Sequence, residues 1–197
     1  PGMRLSLRPA SESDAGRIAE IFAFYVETTT VSFEYAPPSS EEMLSRIRRI
    51  RGRFPFLVGE ADRKTVAYAY ADEAFSRTAY RWCAELSVYV DPAFRHRGVG
   101  KKLTGCVEEI CRRLGYRKLY ALITGENAAS LAFHRAVGYA DCARFSEQGY
   151  KFGRWLDVYW LEKTLNGKEV AASFPRKFPE LDGGELESLL AEHGGEV

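Results

Sequence analysis

The spacing of apolar side chains divides the first 165 residues into strand-like and helix-like segments. Short apolar or alternating runs predict strands at residues 5–11, 56–61, 65–72, 83–90, 118–123 and 158–163. Apolar residues three and four positions apart predict helices within residues 11–27, 37–53, 99–114 and 127–139. The two kinds of element mix without the strict alternation of a doubly wound fold, so we predict a mixed α/β (α+β) domain.

Polar and glycine residues mark where several of these helices begin and end. Ser39 or Ser40 can cap the second helix, whose first turn carries Glu41 and Glu42. Gly115 closes the third helix at the position where a left-handed residue commonly ends a helix. These signals agree with the boundaries that the apolar spacing predicts.

The composition changes after Leu165. Residues 166–197 are polar and interrupted by glycine and proline, and they contain at most a short helix at residues 185–192. We therefore assign residues 4–165 to one domain and expect residues 166–197 to form a C-terminal extension that is loosely structured or packed on a partner. Pro1 and Gly2, which precede Met3, are expected to be a remnant of the expression vector.

Length and composition are typical of one globular domain. The chain has 197 residues, of which 46% are hydrophobic and 28% are charged, and this length allows a single sizeable core. The net charge of +1 excludes a basic surface over the whole protein, so any attraction for anions must come from local clusters. The arginines of residues 46–53 follow one side of the second predicted helix, which is typical of a solvated face, and we expect no nucleic-acid partner.

The sequence also lacks the signals of several other classes of protein. Its four cysteines form no CxxC pair and it has only three histidines, so no metal site is expected. No apolar run approaches the ~18 residues of a membrane span, and the N-terminal residues show no signal-peptide core. We therefore expect a cytoplasmic protein with reduced thiols and no membrane partner.

The segment FRHRGVGKKL (residues 94–103) joins a predicted strand to a predicted helix and combines two glycines with several basic residues. Gly98 and Gly100 allow the backbone to approach a ligand closely, and the N–H groups and dipole at the helix start favour an anion. The spacing matches neither the Walker phosphate loop nor the dinucleotide fingerprint. The segment is a candidate anion site; taken alone, a surface turn with solvated basic side chains is the alternative.

The pattern Arg95-x-x-Gly98-x-Gly100, which follows a strand ending in SVYV, resembles the acetyl-CoA pyrophosphate loop of GNAT N-acetyltransferases. Four segments, TTTVSFEYAPPSSEEML, FSRTAYRWCAELSVYVDPAFRHRGVGKKL, NAASLAFHRAVGY and GYKFGRWLDVYWLEK, look like successive parts of the phosphinothricin acetyltransferase-like branch. The resemblance covers residues 4–165. It implies a single GNAT domain with a twisted, mostly antiparallel central sheet, flanking helices and splayed strands that form the acetyl-CoA site.

The same resemblance implies a reaction and an assembly. Acetyl-CoA would be the co-substrate, and the acetyl group would pass by direct attack to the α-amine of a small amino acid. Phosphinothricin, methionine sulfone and methionine sulfoximine are the acceptors of this branch. A homodimer with the acceptor site near the subunit interface is expected as well.

The resemblance assigns the acetyl-CoA contacts to three stretches of the chain. They are the main chain of Ser87, Val88, Tyr89 and Val90, the loop residues Arg95, His96, Arg97, Gly98, Val99, Gly100 and Lys101, and the helix residues Asn127 and Ser130. Helical spacing places Asn127, Ser130 and His134 on one helix face. Asn127 is also an ordinary helix N-cap and Ser130 an ordinary polar-face residue, so a structural role is the alternative for both.

Glu85 and His134 are the candidate catalytic residues. Glu85 begins the segment ELSVYV, which matches the family pattern E-x-S-V-Y-V, and the resemblance makes it the general base that deprotonates the amine. A glutamate on a solvated sheet face is the alternative. His134 occupies the place where many GNAT enzymes carry a tyrosine, and it would hydrogen-bond the coenzyme or donate a proton to the departing thiolate. A structural histidine is the alternative.

The resemblance also predicts the residues that contact the acceptor. They are Phe33, Arg77, Tyr80, Glu85, Tyr89 and Trp155. Phe33 would form an aromatic wall over the acceptor side chain, and Arg77 would bind its carboxylate. Trp155 would close the pocket from the C-terminal side, either in the same chain or from a neighbouring subunit.

Two departures from the family pattern leave the function open. Asp72 and Glu73 make the stretch before Arg77 unusually acidic, which favours a cationic acceptor such as a polyamine, an aminoglycoside or a peptide N-terminus. Arg77 itself favours an anionic acceptor. The extension after Leu165 has no recognised counterpart and is compatible with a CoA-binding sensor or interaction module without turnover, although the presence of both Glu85 and His134 argues against it.

Overall fold

The computed structural model of the protein describes residues 2–197. Over these residues the chain forms five α-helices and eight β-strands. The helices are α1 (Ala15–Thr28), α2 (Ser40–Arg51), α3 (Val99–Leu114), α4 (Ala128–Ala136) and α5 (Gly183–His193). The strands are β1 (Arg4–Pro9), β2 (Phe56–Ala61), β3 (Lys64–Glu73), β4 (Cys83–Val90), β5 (Lys118–Thr124), β6 (Ala140–Lys151), β7 (Arg154–Thr164) and β8 (Gly195–Glu196).

The eight strands form one sheet in the order β6-β7-β5-β4-β3-β2-β1-β8. All neighbouring strands run antiparallel except β4 and β5, which run parallel. The predicted mixed α/β fold with a mostly antiparallel sheet is therefore confirmed. Ser39 rather than Ser40 caps α2, because its hydroxyl accepts a hydrogen bond from the backbone N–H of Glu42.

Helices cover both faces of the central strands. Tyr89 projects from one face of β4 against α1, where its ring contacts that of Phe22 at a centroid distance of 5.1 Å. Val88 and Val90 project from the opposite face toward Gly100 at the start of α3, where a Cβ atom would lie 3.6 Å from Val90. The alternation along β4 thus places its two sets of side chains in different environments.

β4 and β5 separate along their length. Their parallel register consists of Cys83 with Lys118, Ala84 with Leu119 and Glu85 with Tyr120, although β4 continues to Val90 and β5 to Thr124. We call the gap between residues 86–90 of β4 and residues 121–124 of β5 the β4–β5 wedge. The splayed strands expected from the family resemblance are therefore present.

β6 was not predicted by the apolar pattern. Residues 140–148 are all exposed, so they show no alternation between a buried and a solvated face. Two irregularities in the register with β7, at Asp141/Ala143 and Phe145/Gly149, interrupt the period further. Backbone pairing with β7, rather than burial of side chains, defines this strand.

The C-terminal extension packs on the domain and is not loose. The predicted short helix is present as α5, which lies on α3 and buries Leu189 completely. Arg113 of α3 forms an ion pair of 2.7 Å with Glu185, and the Trp82 indole donates a hydrogen bond of 2.9 Å to the Ser173 carbonyl. β8 then pairs with β1 at the sheet edge. Phe178, Leu181 and Leu189 of the extension are buried in the core of the domain, and Leu186 and Leu190 pack against it.

We predict that Leu189→Ala lowers the free energy of unfolding by about 2 to 5 kcal/mol, because it removes a fully buried side chain between α5 and α3. Urea denaturation measures this value. The exposed neighbour Ser188 provides the control, and Ser188→Ala should leave stability nearly unchanged. Equal stabilities of the two variants would show that the extension does not contribute to the core.

Candidate active site

Two cavities meet at the β4–β5 wedge. The larger has a volume of about 940 Å³ and the smaller about 590 Å³. Both are lined by Val31, Val88, Asn127, Ser130 and His134. The separation of the two strands therefore opens a passage that connects one side of the sheet with the other.

The larger cavity ends at the start of α3. Gly98 precedes the helix with a left-handed backbone (φ 81°), which strongly favours glycine. Gly98 has no side chain to accept hydrogen bonds from the first N–H groups of α3, so these groups are available to a ligand. Gly100 and Lys101 line the same end of the cavity. The helix dipole and the cation favour an anion at this end of the cavity.

The other basic residues of the loop have different environments. Arg95 lines the cavity, and its guanidinium lies 5.1 Å from the ring centroid of Tyr25. His96 also lines the cavity. Arg97 lies over the ring of Phe94 and is absent from the described lining. Lys102 donates a hydrogen bond of 3.0 Å to the carbonyl of Gly194 in the C-terminal extension.

Glu85 lines the smaller cavity at the last paired position of β4, next to the wedge. Its cross-strand neighbour on β3 is Asp72. Loss of hydration at this half-buried position and, to a smaller extent, the carboxylate of Asp72 raise the pKa of Glu85 to about 7. A carboxylate with such a pKa can accept a proton from an amine and release it near neutral pH.

The acidic residues before Arg77 are paired with arginines in α2 and just after it. Asp72 accepts two hydrogen bonds from Arg49, at 3.0 and 2.9 Å, and Glu73 forms an ion pair of 3.0 Å with Arg53. Arg46 of the same helix binds Glu34 through two hydrogen bonds of 2.9 and 2.5 Å. The arginine-rich side of α2 is therefore largely neutralised by acidic partners.

His134 is buried between the two cavities, with 5% of its surface exposed. Its Nδ1 lies 2.8 Å from the carbonyl oxygen of Ser130. Because a carbonyl can only accept, Nδ1 carries the proton, and in the neutral ring Nε2 is an acceptor. Burial lowers the pKa of His134, although the hydrogen bond to Ser130 acts in the opposite direction. The ring is therefore neutral at neutral pH.

Asn127 is the N-cap of α4, which was the alternative prediction for this residue, and it also lines both cavities. Its side-chain oxygen accepts a hydrogen bond of 3.2 Å from the backbone N–H of Ser130 and so caps α4. The hydroxyl of Ser130 lies 3.3 Å from Nδ1 of His134. These contacts fix the helix turn that presents His134.

The predicted acceptor residues fall into two groups. Phe33, Glu85 and Tyr89 line the smaller cavity. Arg77, Tyr80 and Trp155 are exposed, and none of the three lines either cavity in the chain as described. Tyr80 instead packs against Phe75 at 4.9 Å, and Trp155 packs against Tyr150 at 5.2 Å. A single chain thus brings together only part of the predicted acceptor site.

A family model described as an acetyltransferase (GNAT) domain matches residues 7–160. The chain belongs to the GNAT acetyltransferase family. The resemblance stated from the sequence motifs is therefore confirmed, and the chain is an acetyltransferase.

Similar GNAT proteins span most of the chain. A phosphinothricin N-acetyltransferase from Alcaligenes faecalis is 36% identical over 84% of this chain and 85% of its own length. An L-methionine sulfoximine/L-methionine sulfone acetyltransferase from Salmonella typhimurium is 31% identical over 82% of this chain and 95% of its own length. The crystal structure of a GNAT phosphinothricin acetyltransferase from Sinorhizobium meliloti, solved with acetyl-CoA, superposes with a TM-score of 0.82. It is 35% identical and covers 91% of this chain and 98% of that chain.

The structure extends the candidate site beyond the individual residues that were predicted. The end of α1 and the segment after it line both cavities, with Thr28–Val31 in the larger and Val31–Glu34, which includes the predicted Phe33, in the smaller. Glu126 and Arg154 line the larger cavity and pair with each other at 2.7 Å. These residues come from separate loops and a hairpin, so no local spacing connected them.

Two findings concern the described chain as a whole. Among residues 2–197, no helix combines the length and the apolar character that a bilayer span requires. Within the same residues, no group of three or more His, Cys, Asp or Glu side chains is arranged to hold a metal ion.

Proposed function

We propose that the protein is an acetyl-CoA-dependent N-acetyltransferase that acetylates the α-amine of a small amino acid of the phosphinothricin, methionine sulfone and methionine sulfoximine class. The observation that carries the proposal is the meeting of an anion-binding cavity and a cavity containing Glu85 at the β4–β5 wedge. The names of the similar enzymes from Alcaligenes faecalis and Salmonella typhimurium support the acceptor class.

The larger cavity fits acetyl-CoA. The uncapped N–H groups at the start of α3, together with Arg95 and Lys101, suit its pyrophosphate. On the edge away from β3, residues 86–90 of β4 face the wedge instead of β5, so their backbone can bind an extended amide chain and a thioester carbonyl. Acetyl-CoA supplies the acetyl thioester as the acyl donor. Every other group that the reaction needs would come from the protein and the acceptor.

Glu85 is the general base in this proposal. An amine attacks only in its unprotonated form, and free amino groups are mostly protonated at neutral pH. Glu85 lines the acceptor-side cavity next to the wedge, and its raised pKa of about 7 matches the operating pH of a base that must both take up and release a proton. The carboxylate takes the proton directly or through a water molecule.

His134 acts as a hydrogen-bond acceptor rather than as an acid. Its Nδ1 proton is used by the Ser130 carbonyl, and its lowered pKa keeps the ring neutral. Nε2 can therefore accept a hydrogen bond at the meeting point of the two cavities, but it carries no proton to donate. This favours a contact with a thiol or an ammonium donor over protonation of a departing thiolate.

The acceptor site is completed by a second copy of the chain. None of the described residues lining the smaller cavity is Lys or Arg, so a single chain offers no cation for an acceptor carboxylate. Arg77 is exposed and lies three residues before Tyr80, whose ring packs on Phe75. Phe75 and Phe145 both contact Trp160, so these rings form one aromatic cluster, in which Tyr80 and Phe145 are 46% and 44% exposed. In a homodimer that covers this surface, Arg77 of one subunit would bind the carboxylate held in the other.

One observation favours a second candidate acceptor. Glu34 and Glu85 both line the smaller cavity, and because Arg46 pairs only with Glu34, the carboxylate of Glu85 remains to attract a positively charged amine. A polyamine or an aminoglycoside would suit a monomer with this cavity. Asp72 and Glu73 do not add to this attraction, because Arg49 and Arg53 neutralise them.

The test of the function is acetyl transfer from acetyl-CoA across a panel of amines, measured by mass spectrometry. The panel contains methionine sulfone, methionine sulfoximine, phosphinothricin, spermidine, an aminoglycoside and a short peptide. We expect turnover of the first three only. Turnover confined to spermidine or the aminoglycoside would support the cationic acceptor instead, and acetyl-CoA binding without any turnover would contradict both candidates.

We predict that Glu85→Gln lowers kcat on the order of 100- to 1,000-fold, because the amide cannot accept the amine proton. Acetyl-CoA affinity, measured by calorimetry, should remain unchanged. In the wild type, kcat/KM should increase with pH and level off above about 7, since only the ionised Glu85 acts as a base. Glu73→Gln, on the neighbouring strand and outside the described cavity linings, is the control and should keep the wild-type profile.

We predict that Arg77→Gln raises KM for methionine sulfone about tenfold or more, since the carboxylate loses its cation. Arg63→Gln, an exposed arginine in the β2–β3 turn, is the control.

A mixture of Arg77→Gln and Glu85→Gln chains shows whether Arg77 acts on the site of its own subunit or on that of the partner subunit. If Arg77 acts across the interface, subunit exchange restores about a quarter of the wild-type rate, because half the dimers regain one complete site. No restoration would place Arg77 in the same subunit as Glu85.

A further inference from the structure

Lys151, the last residue of β6, has a buried ammonium group that binds three backbone carbonyls. The residue is 3% exposed. Its Nζ donates hydrogen bonds of 2.7 Å to Val26, 2.9 Å to Thr29 and 2.6 Å to Ser32. An ammonium group has three donors, so all of its hydrogen-bonding capacity is used.

The three carbonyls belong to the end of α1 and the segment that follows it. Val26 lies in the last turn of α1 and Thr29 is its C-cap residue. Carbonyls at a helix C-terminus lack intrahelical partners, and the helix dipole favours a cation there. Lys151 thus caps a helix from a strand 125 residues away in the sequence.

Residues 29–35, which we call the α1 loop, have further contacts with the same end of β6. The ring of Phe33 packs so closely on Gly149 that a Cβ at Gly149 would overlap the ring. The hydroxyl of Tyr35 donates a hydrogen bond to the carbonyl of Tyr150. Three consecutive β6 residues, 149–151, therefore each contact the α1 loop.

The α1 loop forms part of the acceptor-side cavity. Val31, Ser32, Phe33 and Glu34 line it. Ser32, whose carbonyl Lys151 binds, immediately precedes Phe33 and Glu34. Lys151 is absent from the described lining of both cavities, so it acts on a ligand only through the loop. Arg46 already provides the ionic partner of Glu34.

We propose that Lys151 is a positioning residue that sets acceptor affinity by holding the α1 loop, and with it Phe33 and Glu34, in place as the wall of the acceptor-side cavity. The proposal rests on the proposed function, because it assigns the smaller cavity to the acceptor. The proposal makes residues 149–151, at the end of β6, a determinant of acceptor binding. The preceding part of β6 is exposed and pairs with β7 through its backbone.

The test compares Lys151→Met with Lys163→Met. Methionine keeps the length of the lysine stem but offers no donor, so the three carbonyls lose their partner. Lys163 is a matched control, because its Nζ also donates to a backbone carbonyl, that of Val137 at 2.8 Å, and binds Glu108. It is absent from the described lining of both cavities. Both variants are expected to lose stability. A rise in KM that occurs only in Lys151→Met therefore results from displacement of the α1 loop and not from lower stability.

For Lys151→Met we expect KM for methionine sulfone to rise about tenfold, with kcat changed much less. Hydrogen exchange measured by mass spectrometry should accelerate in peptides spanning residues 29–35. Lys163→Met should show neither change, and Lys151→Arg, which keeps the charge and donors, should recover part of the affinity. Equal KM values in the two methionine variants, or unchanged exchange in residues 29–35, would overturn the proposal.

Gly149→Ala provides a second route if Lys151→Met does not fold. Its Cβ displaces the ring of Phe33 while Lys151 stays intact, so KM for the acceptor should rise in a stable protein. An unchanged KM would contradict the role of the β6 end. Turnover of the amine panel by the wild type tests the proposed function separately. Hydrogen exchange in residues 29–35 needs no acceptor, so it tests the link between Lys151 and the α1 loop even if the acceptor class is different.

Discussion

β4 and β5 begin as a parallel pair and stop pairing at Glu85, and the whole candidate site depends on this separation. A continuous ladder would have closed the sheet at this point. Because the strands separate, the edge of β4 is exposed to ligands, and cavities on the two sides of the sheet connect. The position of Glu85 at the last residue paired with β5 places a carboxylate in the smaller cavity, next to the wedge.

The electrostatics of the site follow from partial burial. Glu85 loses hydration beside a second carboxylate, which raises its pKa to about 7, and His134 loses hydration beside a carbonyl, which keeps it neutral. Asp72 contributes to the environment of Glu85 while remaining bound to Arg49. The acidic stretch that first favoured a cationic acceptor is therefore better understood as a partner for α2 and a modulator of the base.

Contacts between segments that are far apart in the sequence hold the walls of the site. The C-terminal extension lies along α3, and its Gly194 carbonyl binds Lys102 in the first turn of that helix. On the other side of the wedge, Lys151 binds the carbonyls at the end of α1. Both arrangements use a lysine and backbone carbonyls that are distant in sequence, which makes the site geometry a property of the whole domain.

The sequence by itself determined the mixed fold, the helix and strand positions with clear periodicity, and the glycine turn that begins α3, because these depend on local spacing and glycine placement. It also indicated Glu85 and His134 through their motifs. Only the tertiary structure decided that β6 is a strand, that the extension packs on α3, and that Arg77 and Trp155 lie outside the cavities of one chain. Those outcomes depend on backbone pairing and on contacts between segments far apart in the sequence, for which local side-chain patterns carry no signal.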